Sequence, residues 1–483
     1  MKRAIALLAA CLAVTCVLLL RWNAVDARQI AGDRVEMVAQ FEQLAQRSPL
    51  APATYTFALR DLQTGELVAS SGGDNSMVPA STLKLFATSF AFSQFPLSQR
   101  WTTQVVLPHP VREGVAESVV LVGSGDPTLG SPQIPGNPTT AQILDGIATA
   151  IRAAGIREIS TLVGDTSALD IEPIPWSWTY DDFGNYFGAP ISALNLHDNL
   201  YKLTFRPGVV GGPAAIASIE PQLDWLEFHN DMRTGPAGSG DNGYIFGVPE
   251  SHDRWLRGTV PAGNSFFIYG AMPDPADAFL RLLRTRLQAA GISVGGIERR
   301  SQASPTGEIL WQQASPPLLD IVRHINGTSF NLYADGLLAL AAQQKAGTAA
   351  VTSWRQATQL ETDWAKSLGV PDRGLRIEDG SGLSRRNLVT AEALTALIRS
   401  DSLQSWWPQY RNTLNPSHGP GRPAGAARGK SGFIEGVRTL SGTIRCKSDR
   451  QLAFSILVNH YDGTIAQADD FISDVLDRVW QTY

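Results

Sequence analysis

Apolar and polar positions come in short periodic blocks, and the blocks at the two ends of the chain are the clearest. Gln29 to Gln46 has helical spacing and predicts a surface helix. Tyr55 to Leu59 and Leu67 to Ala69 predict two strands, with Asp61 and Thr64-Gly65 supplying turn chemistry between them. From Ser81 to about Phe92 the pattern is again helical, and Leu83, Phe86, Ala87 and Phe90 form one apolar stripe. Ser81 therefore stands at a helix N-terminus, with Lys84 one turn on along the same face. Near the C-terminus, Ala427 to Ser431, Val437 to Arg445 and Leu452 to Asn459 predict three consecutive strands. An amphipathic helix follows over Ala466 to Trp480, carrying Ile472, Val475, Leu476 and Val479. Neither end completes a sheet alone. The economical solution is one antiparallel sheet built from both ends with helices on its faces, an α+β fold.

The middle of the chain adds a second body. Thr103 to Leu107 and Glu117 to Val122 read as strands, and two similar units stand out. Ala150-Ile-Arg-Ala-Ala-Gly-Ile156 precedes Ile159, and Arg286-Leu-Gln-Ala-Ala-Gly-Ile292 precedes Val294. Each predicts a helix that ends at a glycine and then a short strand. An apolar helix begins near Tyr333. These patterns divide the chain into 28–98 with 303–483, the sheet-bearing domain, and 99–302, an α+β insertion. The length of 483 residues suits two or three domains.

Composition narrows the function. The chain is 43% hydrophobic and 18% charged, as in a globular protein, and its net charge of -5 comes with no long Lys/Arg run, which argues against nucleic acid as a partner. Met1-Lys2-Arg3, the apolar run Ala4 to Leu20 and the small residues of Val25-Asp26-Ala27 make 1–27 an export segment, either a cleaved signal or a retained anchor that would associate with the membrane. Leu8-Ala9-Ala10-Cys11 also resembles a lipoprotein box, although the apolar run continues past it. The protein is expected outside the cytoplasm, in the periplasm or cell envelope. Cleavage leaves Cys446 as the one cysteine, and no C-x-x-C or Cys/His cluster suggests a metal. No cofactor is implied.

Four separated stretches carry the candidate chemistry: Ser81-Thr-Leu-Lys84, Ser329-Phe-Asn331, Asp379-Gly-Ser-Gly-Leu-Ser-Arg385 and Lys430-Ser-Gly432. A serine hydroxyl needs a neighbouring base, and a lysine in a dry site beside other cations loses enough proton affinity to serve. Ser81 is read as that nucleophile or as a plain helix cap beside a surface lysine. Ser329 and Asn331 point into one cleft if their segment is extended, or else they cap the helix that follows. Lys430 to Gly432 reads as the end of an edge strand, where a cation, a hydroxyl and a glycine suit a peptide ending in a carboxylate. Gly429-Lys430-Ser431 resembles the end of a phosphate-binding loop, but Ala424 stands where that loop needs glycine and a strand pattern follows.

Taken in order, Ser81 to Lys84, Ser329 to Asn331 and Lys430 to Gly432 resemble the S-x-x-K, S-D-N and K-T-G elements of penicillin-interactive enzymes. The chain resembles the D-alanyl-D-alanine carboxypeptidase/endopeptidase family of low-molecular-mass penicillin-binding proteins, the class with a large insertion after S-x-x-K (peptidase family S13). Further support comes from Gly123-Ser-Gly-Asp-Pro127, Gly188-Ala-Pro-Ile-Ser-Ala-Leu194 and Gly436-Val-Arg-Thr-Leu-Ser-Gly442. The resemblance implies a penicillin-binding/β-lactamase-like serine transpeptidase domain acting on D-Ala-D-Ala termini or D-Ala-diaminopimelate cross-links of peptidoglycan stem peptides, with β-lactams as inhibitors. It implies Ser81 as nucleophile, Lys84 as base, Ser329 as proton relay and Asn331 as ligand of the substrate amide. Lys430 and Ser431 would hold the carboxylate beside Gly432, and the N–H groups of Ser81 and Phe433 would form the oxyanion hole. Phe330 stands where the family has Asp, and Ser431 where it has Thr.

The resemblance further implies that Asp182, Leu383 and Arg385 border the cleft, with Phe187 as an apolar wall. Asp182 and Arg385 would read the zwitterionic end of a diaminopimelate side chain, or else Asp182 caps a turn and Arg385 makes a surface ion pair. Rival readings are a β-lactamase or esterase on the same scaffold and a non-catalytic wall-binding module.

Overall fold

The computed structural model describes residues 32–483 except 51, 305, 348 and 349. The expected export segment and its two cysteines lie outside them. The described chain forms two compact units. One takes in the chain up to Met77, Val389–Leu403 and Asn415–Tyr483; the other takes in Val78–Leu388 and Gln404–Leu414.

The first unit is the sheet made from both chain ends. Its six strands run in the order Asn415–Ser417, Ala427–Ile434, Val437–Arg445, Gln451–Asn459, Thr54–Asp61, Leu67–Ser71. The N-terminal strand zips onto the last strand over its whole length, antiparallel from Thr54↔Asn459 to Asp61↔Leu452. Helix 32–47 and helix Ile465–Thr482 cover one face: Phe41 stacks on Phe57, and Met37, Phe454, Phe471, Val475 and Val479 fill the layer. At roughly 2 kcal/mol for each large side chain removed from water, that layer is the main reason the two ends stay paired. Helix Ala391–Asp401 packs against Gln451–Asn459 and buries Leu394, Leu397 and Ile398. Gln451–Asn459 is accordingly buried at every position after the first, a continuous apolar run instead of an alternating one.

The second unit joins a helical cluster to three further sheets. Helix Lys84–Gln94 is buried continuously from Lys84 through Phe92, not along the single stripe its sequence predicts. The reason is its neighbours: helices Leu318–Thr328, Asn331–Ala346 and Trp354–Ser367 all pack on it. Asn331–Ala346 is likewise buried without a break from Leu332 to Ala342, as a central helix must be. The two helix–glycine–strand units lie side by side. Their helices, Thr140–Ala153 and Pro275–Ala289, share one core, and Gly155 and Gly291 take φ of 76° and 78°. Their strands, Glu158–Asp165 and Ser293–Arg300, pair in parallel from Ser293↔Glu158. A five-stranded sheet, in the order Ser293–Arg300, Glu158–Asp165, Val115–Val122, Thr102–Leu107, Glu308–Ala314, carries them. Leu200–Arg206, Ala215–Glu220 and Phe266–Ala271 form a three-stranded sheet; Glu227–Asn230, Arg233–Gly235, Asn242–Phe246 and Asp253–Pro261 form another.

Candidate active site

Ser81 lies within a tight 3-10 turn, Ala80–Leu83, that runs directly into helix Lys84–Gln94. Ala80 precedes it with φ of 46°, a left-handed conformation that costs a non-glycine residue about 1–2 kcal/mol. The loop from Asp379 to Arg385 holds this turn in place. Gly382, at φ of 81°, approaches the Ala80 carbonyl so closely that no Cβ would fit between them.

Lys84 is fully buried, and its Nζ is surrounded by three acceptors: Ser81 Oγ at 2.9 Å, Asn331 Oδ1 at 2.6 Å and the Ser381 carbonyl at 2.6 Å. Burial lowers its pKa from 10.5 to about 8. The expectation that neighbouring cations would do this needs correcting: the charges that act on Lys84 are those of Asp335 and Asp379, and both oppose the fall. Desolvation outweighs them, so that near pH 7 about a tenth of the lysine is the free amine.

The Ser329-Phe-Asn331 segment is not the extended strand considered above. Ser329 closes helix Leu318–Thr328 in the left-handed region, with φ of 67° and ψ of 30°, and its N–H bonds the Ile325 carbonyl at 2.9 Å. Phe330 is extended, and Asn331 opens the next helix. The chain turns sharply here because one helix must stop and another start within three residues. Asn331 is held from both ends of its amide, since Nδ2 donates to the Phe187 carbonyl at 2.9 Å while Oδ1 accepts from Lys84. Phe330 packs on Tyr333 and His324, which accounts for an apolar residue in the middle of this motif.

Sequence reasoning named the Asp379 to Arg385 loop but missed the hydrogen bonds that shape it, and missed Asp335. Asp379 accepts four hydrogen bonds: from Gly382 N–H and Asn387 Nδ2 on one oxygen, and from Ser384 N–H and Trp178 Nε1 on the other. Asp335 accepts the N–H groups of Gly380 and Ser381, each at 2.8 Å. The available signal was Asp335 itself, a lone acid in the apolar stretch Leu332 to Ala342.

Asp182 Oδ2 accepts hydrogen bonds from Thr179 N–H at 2.8 Å and the Thr179 hydroxyl at 2.9 Å, within the turn that leads to it. Burial raises its pKa, and the nearby charge of Arg385 acts in the opposite direction. Leu383 is half-buried and Arg385 exposed, on the loop that carries Ser381.

In the sheet unit, Lys430 lies within strand Ala427–Ile434 and not at its end, because pairing with Val437–Arg445 continues to Ile434↔Val437. The short strand Asn415–Ser417 borders only Ala427 to Gly429, so Lys430, Ser431, Gly432 and Phe433 extend past it. Lys430 is 1% exposed and donates to the Ser431 carbonyl at 2.7 Å, while Phe433 is 48% exposed. The Gly- and Pro-rich stretch before the strand is fastened by buried Arg422, which bonds Asp477, Ser473 and the His418 carbonyl. Cys446 is buried, and its thiol is pushed up to about 12 by desolvation, a packing residue and not a nucleophile.

A serine hydroxyl hydrogen-bonded to a buried lysine of depressed pKa, at a helix start in an α+β protein, defines a serine acyl-transfer enzyme. Residues 37–479 match the D-Ala-D-Ala carboxypeptidase 3 (S13) family, and the chain belongs to that family. It is a serine-type D-Ala-D-Ala peptidase, a hydrolase. A D-alanyl-D-alanine carboxypeptidase of Actinomadura sp. (strain R39) is 28% identical over 433 residues, 83% of this chain and 77% of that protein. The D-alanyl-D-alanine carboxypeptidase DacB of Haemophilus influenzae is 22% identical, over 84% of this chain and 85% of the relative. The fold is that of penicillin binding protein 4 from Haemophilus influenzae, with a TM-score of 0.79 at 20% identity over 91% of this chain and 99% of that structure.

Proposed function

We propose that the exported protein cleaves D-Ala-D-Ala termini, D-Ala-diaminopimelate cross-links, or both, in peptidoglycan through an ester on Ser81. Ser81 Oγ attacks the carbonyl carbon of the penultimate D-Ala while Lys84 Nζ, as the free amine, takes its proton. The tetrahedral oxyanion is met by the N–H groups of Ser81 and Phe433. The C–N bond then breaks. Ser329 passes a proton to the leaving amine, and water later hydrolyses the ester to restore the hydroxyl. Asn331 holds the substrate amide, and Lys430 and Ser431 hold the terminal carboxylate, with Gly432 leaving room for a peptide backbone. β-Lactams acylate the same Ser81. The observation that carries this reading is the 2.9 Å contact between Lys84 Nζ and Ser81 Oγ in a fully buried setting.

We further propose that 99–302 is an insertion in the catalytic domain. In support, Thr102–Leu107 and Glu308–Ala314 pair antiparallel, so the chain leaves and returns side by side. The basic, apolar N-terminus supports export to the envelope, with membrane association if the segment is retained.

Labelled penicillin tests the chemistry. Wild-type protein should form a long-lived covalent adduct that Ser81→Ala does not form. Rapid release of the label would favour a β-lactamase or esterase, and no adduct at all a binding module. Pentapeptide and cross-linked muropeptides then separate carboxypeptidase from endopeptidase turnover.

A further inference from the structure

Asp335 and Glu361 are acids in the driest part of the helical cluster, and neither enters the reaction proposed above. Asp335 sits one turn after Asn331 and is fully buried. Its Oδ1 accepts the N–H groups of Gly380 and Ser381, and the carbonyl of the same Ser381 accepts the hydrogen bond from Lys84 Nζ. The carboxylate thus grips the two peptide groups that immediately precede the one whose carbonyl accepts from Lys84.

Asp335 Oδ2 has no donor among the described residues. Neither have the two oxygens of Glu361, fully buried on helix Trp354–Ser367. Two ionised acids left in that state would conflict with their surroundings and with each other. A proton on one of them relieves the conflict, because neighbouring acids do not both ionise. Glu361 is the better holder. No donor among the described residues meets its oxygens, whereas Asp335 Oδ1 accepts two N–H groups, and burial with the charges of Asp379 and Asp335 pushes the Glu361 carboxyl well up. Burial and Asp379 push the Asp335 carboxyl well up too, although Lys84 and the hydrogen bonds from Ser381 and Gly380 act in the opposite direction. Lys84, Asp335, Glu361 and Asp379 are the ionisable groups that face one another here.

We propose that Asp335 is a positioning residue for the base: with Glu361 kept neutral, its carboxylate fixes the Ser381 carbonyl and stands as a negative charge behind the Lys84 ammonium. Burial alone would strip the lysine of its proton too readily, and the Asp335 charge restores part of that affinity.

The proposal rests on Lys84 as base, so its test includes a readout that needs no catalysis. In full-length protein labelled at lysine ¹³Cε, the Lys84 signal, assigned by its loss in Lys84→Ala, is titrated alongside the pH profile of penicillin acylation. Asp335→Asn keeps an oxygen for the two N–H groups but removes the charge. Lys84 should then titrate about one pH unit lower, a tenfold loss of proton affinity, and the acid limb of acylation should move with it. Glu361→Gln exchanges one neutral group for another and should move neither. Asp335→Ala releases the loop as well and should slow acylation about a hundredfold with penicillin affinity unchanged. If that variant does not fold, Asp335→Asn decides alone. A Lys84 titration unmoved by Asp335→Asn, or moved as far by Glu361→Gln, overturns the proposal. If Lys84 titrates as expected but wild-type protein never acylates at Ser81, the function proposed above fails, while the hold of Asp335 on the Lys84 proton stands.

Discussion

Ser81 and Lys84 are three positions apart, yet what makes them a pair is the removal of water from Lys84. With its pKa at about 8, the lysine is protonated below that pH and is a base above it. Acylation should therefore rise tenfold per pH unit from about pH 6 and level off above about pH 8, as stopped-flow measurement with a chromogenic β-lactam would show. Ser81→Ala and Lys84→Ala should each abolish the reaction while leaving the thermal transition in place, because nucleophile and base act as one unit. A Lys84→Ala protein that acylates near the wild-type rate would remove Lys84 from the mechanism. Asn331 was legible from its spacing to Ser329, but its grip on Lys84 was not, since 247 positions separate the two residues.

Two elements meet at Ser329, and their junction separates shape from chemistry. Its φ of 67° costs a side chain about 1 kcal/mol, which glycine would not incur. Ser329→Gly should hold or raise the unfolding temperature and still lose turnover of peptide substrates, whereas Ser329→Ala should lose both. Retained turnover in Ser329→Gly would leave the hydroxyl without a role. The helix that follows is anchored by Tyr333, whose hydroxyl lies 2.6 Å from Asp198 Oδ1 and 2.7 Å from Ser131 Oγ. Burial raises the Asp198 carboxyl from 3.8 to about 6. The folded protein therefore binds the extra proton between those values, so this group's stabilisation is complete below pH 3.8 and lost as pH rises through about 6. Chemical denaturation should show wild type gaining roughly 2–3 kcal/mol on Asp198→Asn between pH 8 and pH 4. A difference that does not change with pH would mean the carboxyl is already ionised in the folded state.

At the scale of the whole molecule, the open question is which peptides it accepts. Asp182 and Arg385 belong to separate segments, yet the charge of one acts on the other. We propose that they read the zwitterionic end of a stem-peptide side chain, with Leu383 and Phe187 as its apolar border. Asp182→Ala and Arg385→Ala should then slow peptides bearing that end by tenfold or more and leave acylation by a simple penicillin nearly unchanged. Equal losses on both substrates would reduce Asp182 to its turn-capping role.

Several features of this protein were determined by its sequence alone. The end strands and their helices are legible because each is a half-buried surface that needs a partner, and the two ends offer complementary ones. The helix–glycine–strand pair is legible because a helix stop and a strand start are local chemistry, and Gly155 and Gly291 adopt the positive φ their positions require. The order of the motifs named the family. Only the tertiary structure decided that positions 331 and 381 join Ser81 around Lys84, that Ser329 turns left-handed, and that Asp335 bonds the loop through Gly380 and Ser381. Periodicity records which face of an element is apolar. The meeting of polar atoms from three distant segments is set by how the helices pack, and a buried acid among leucines shows its purpose only when its partners are in place.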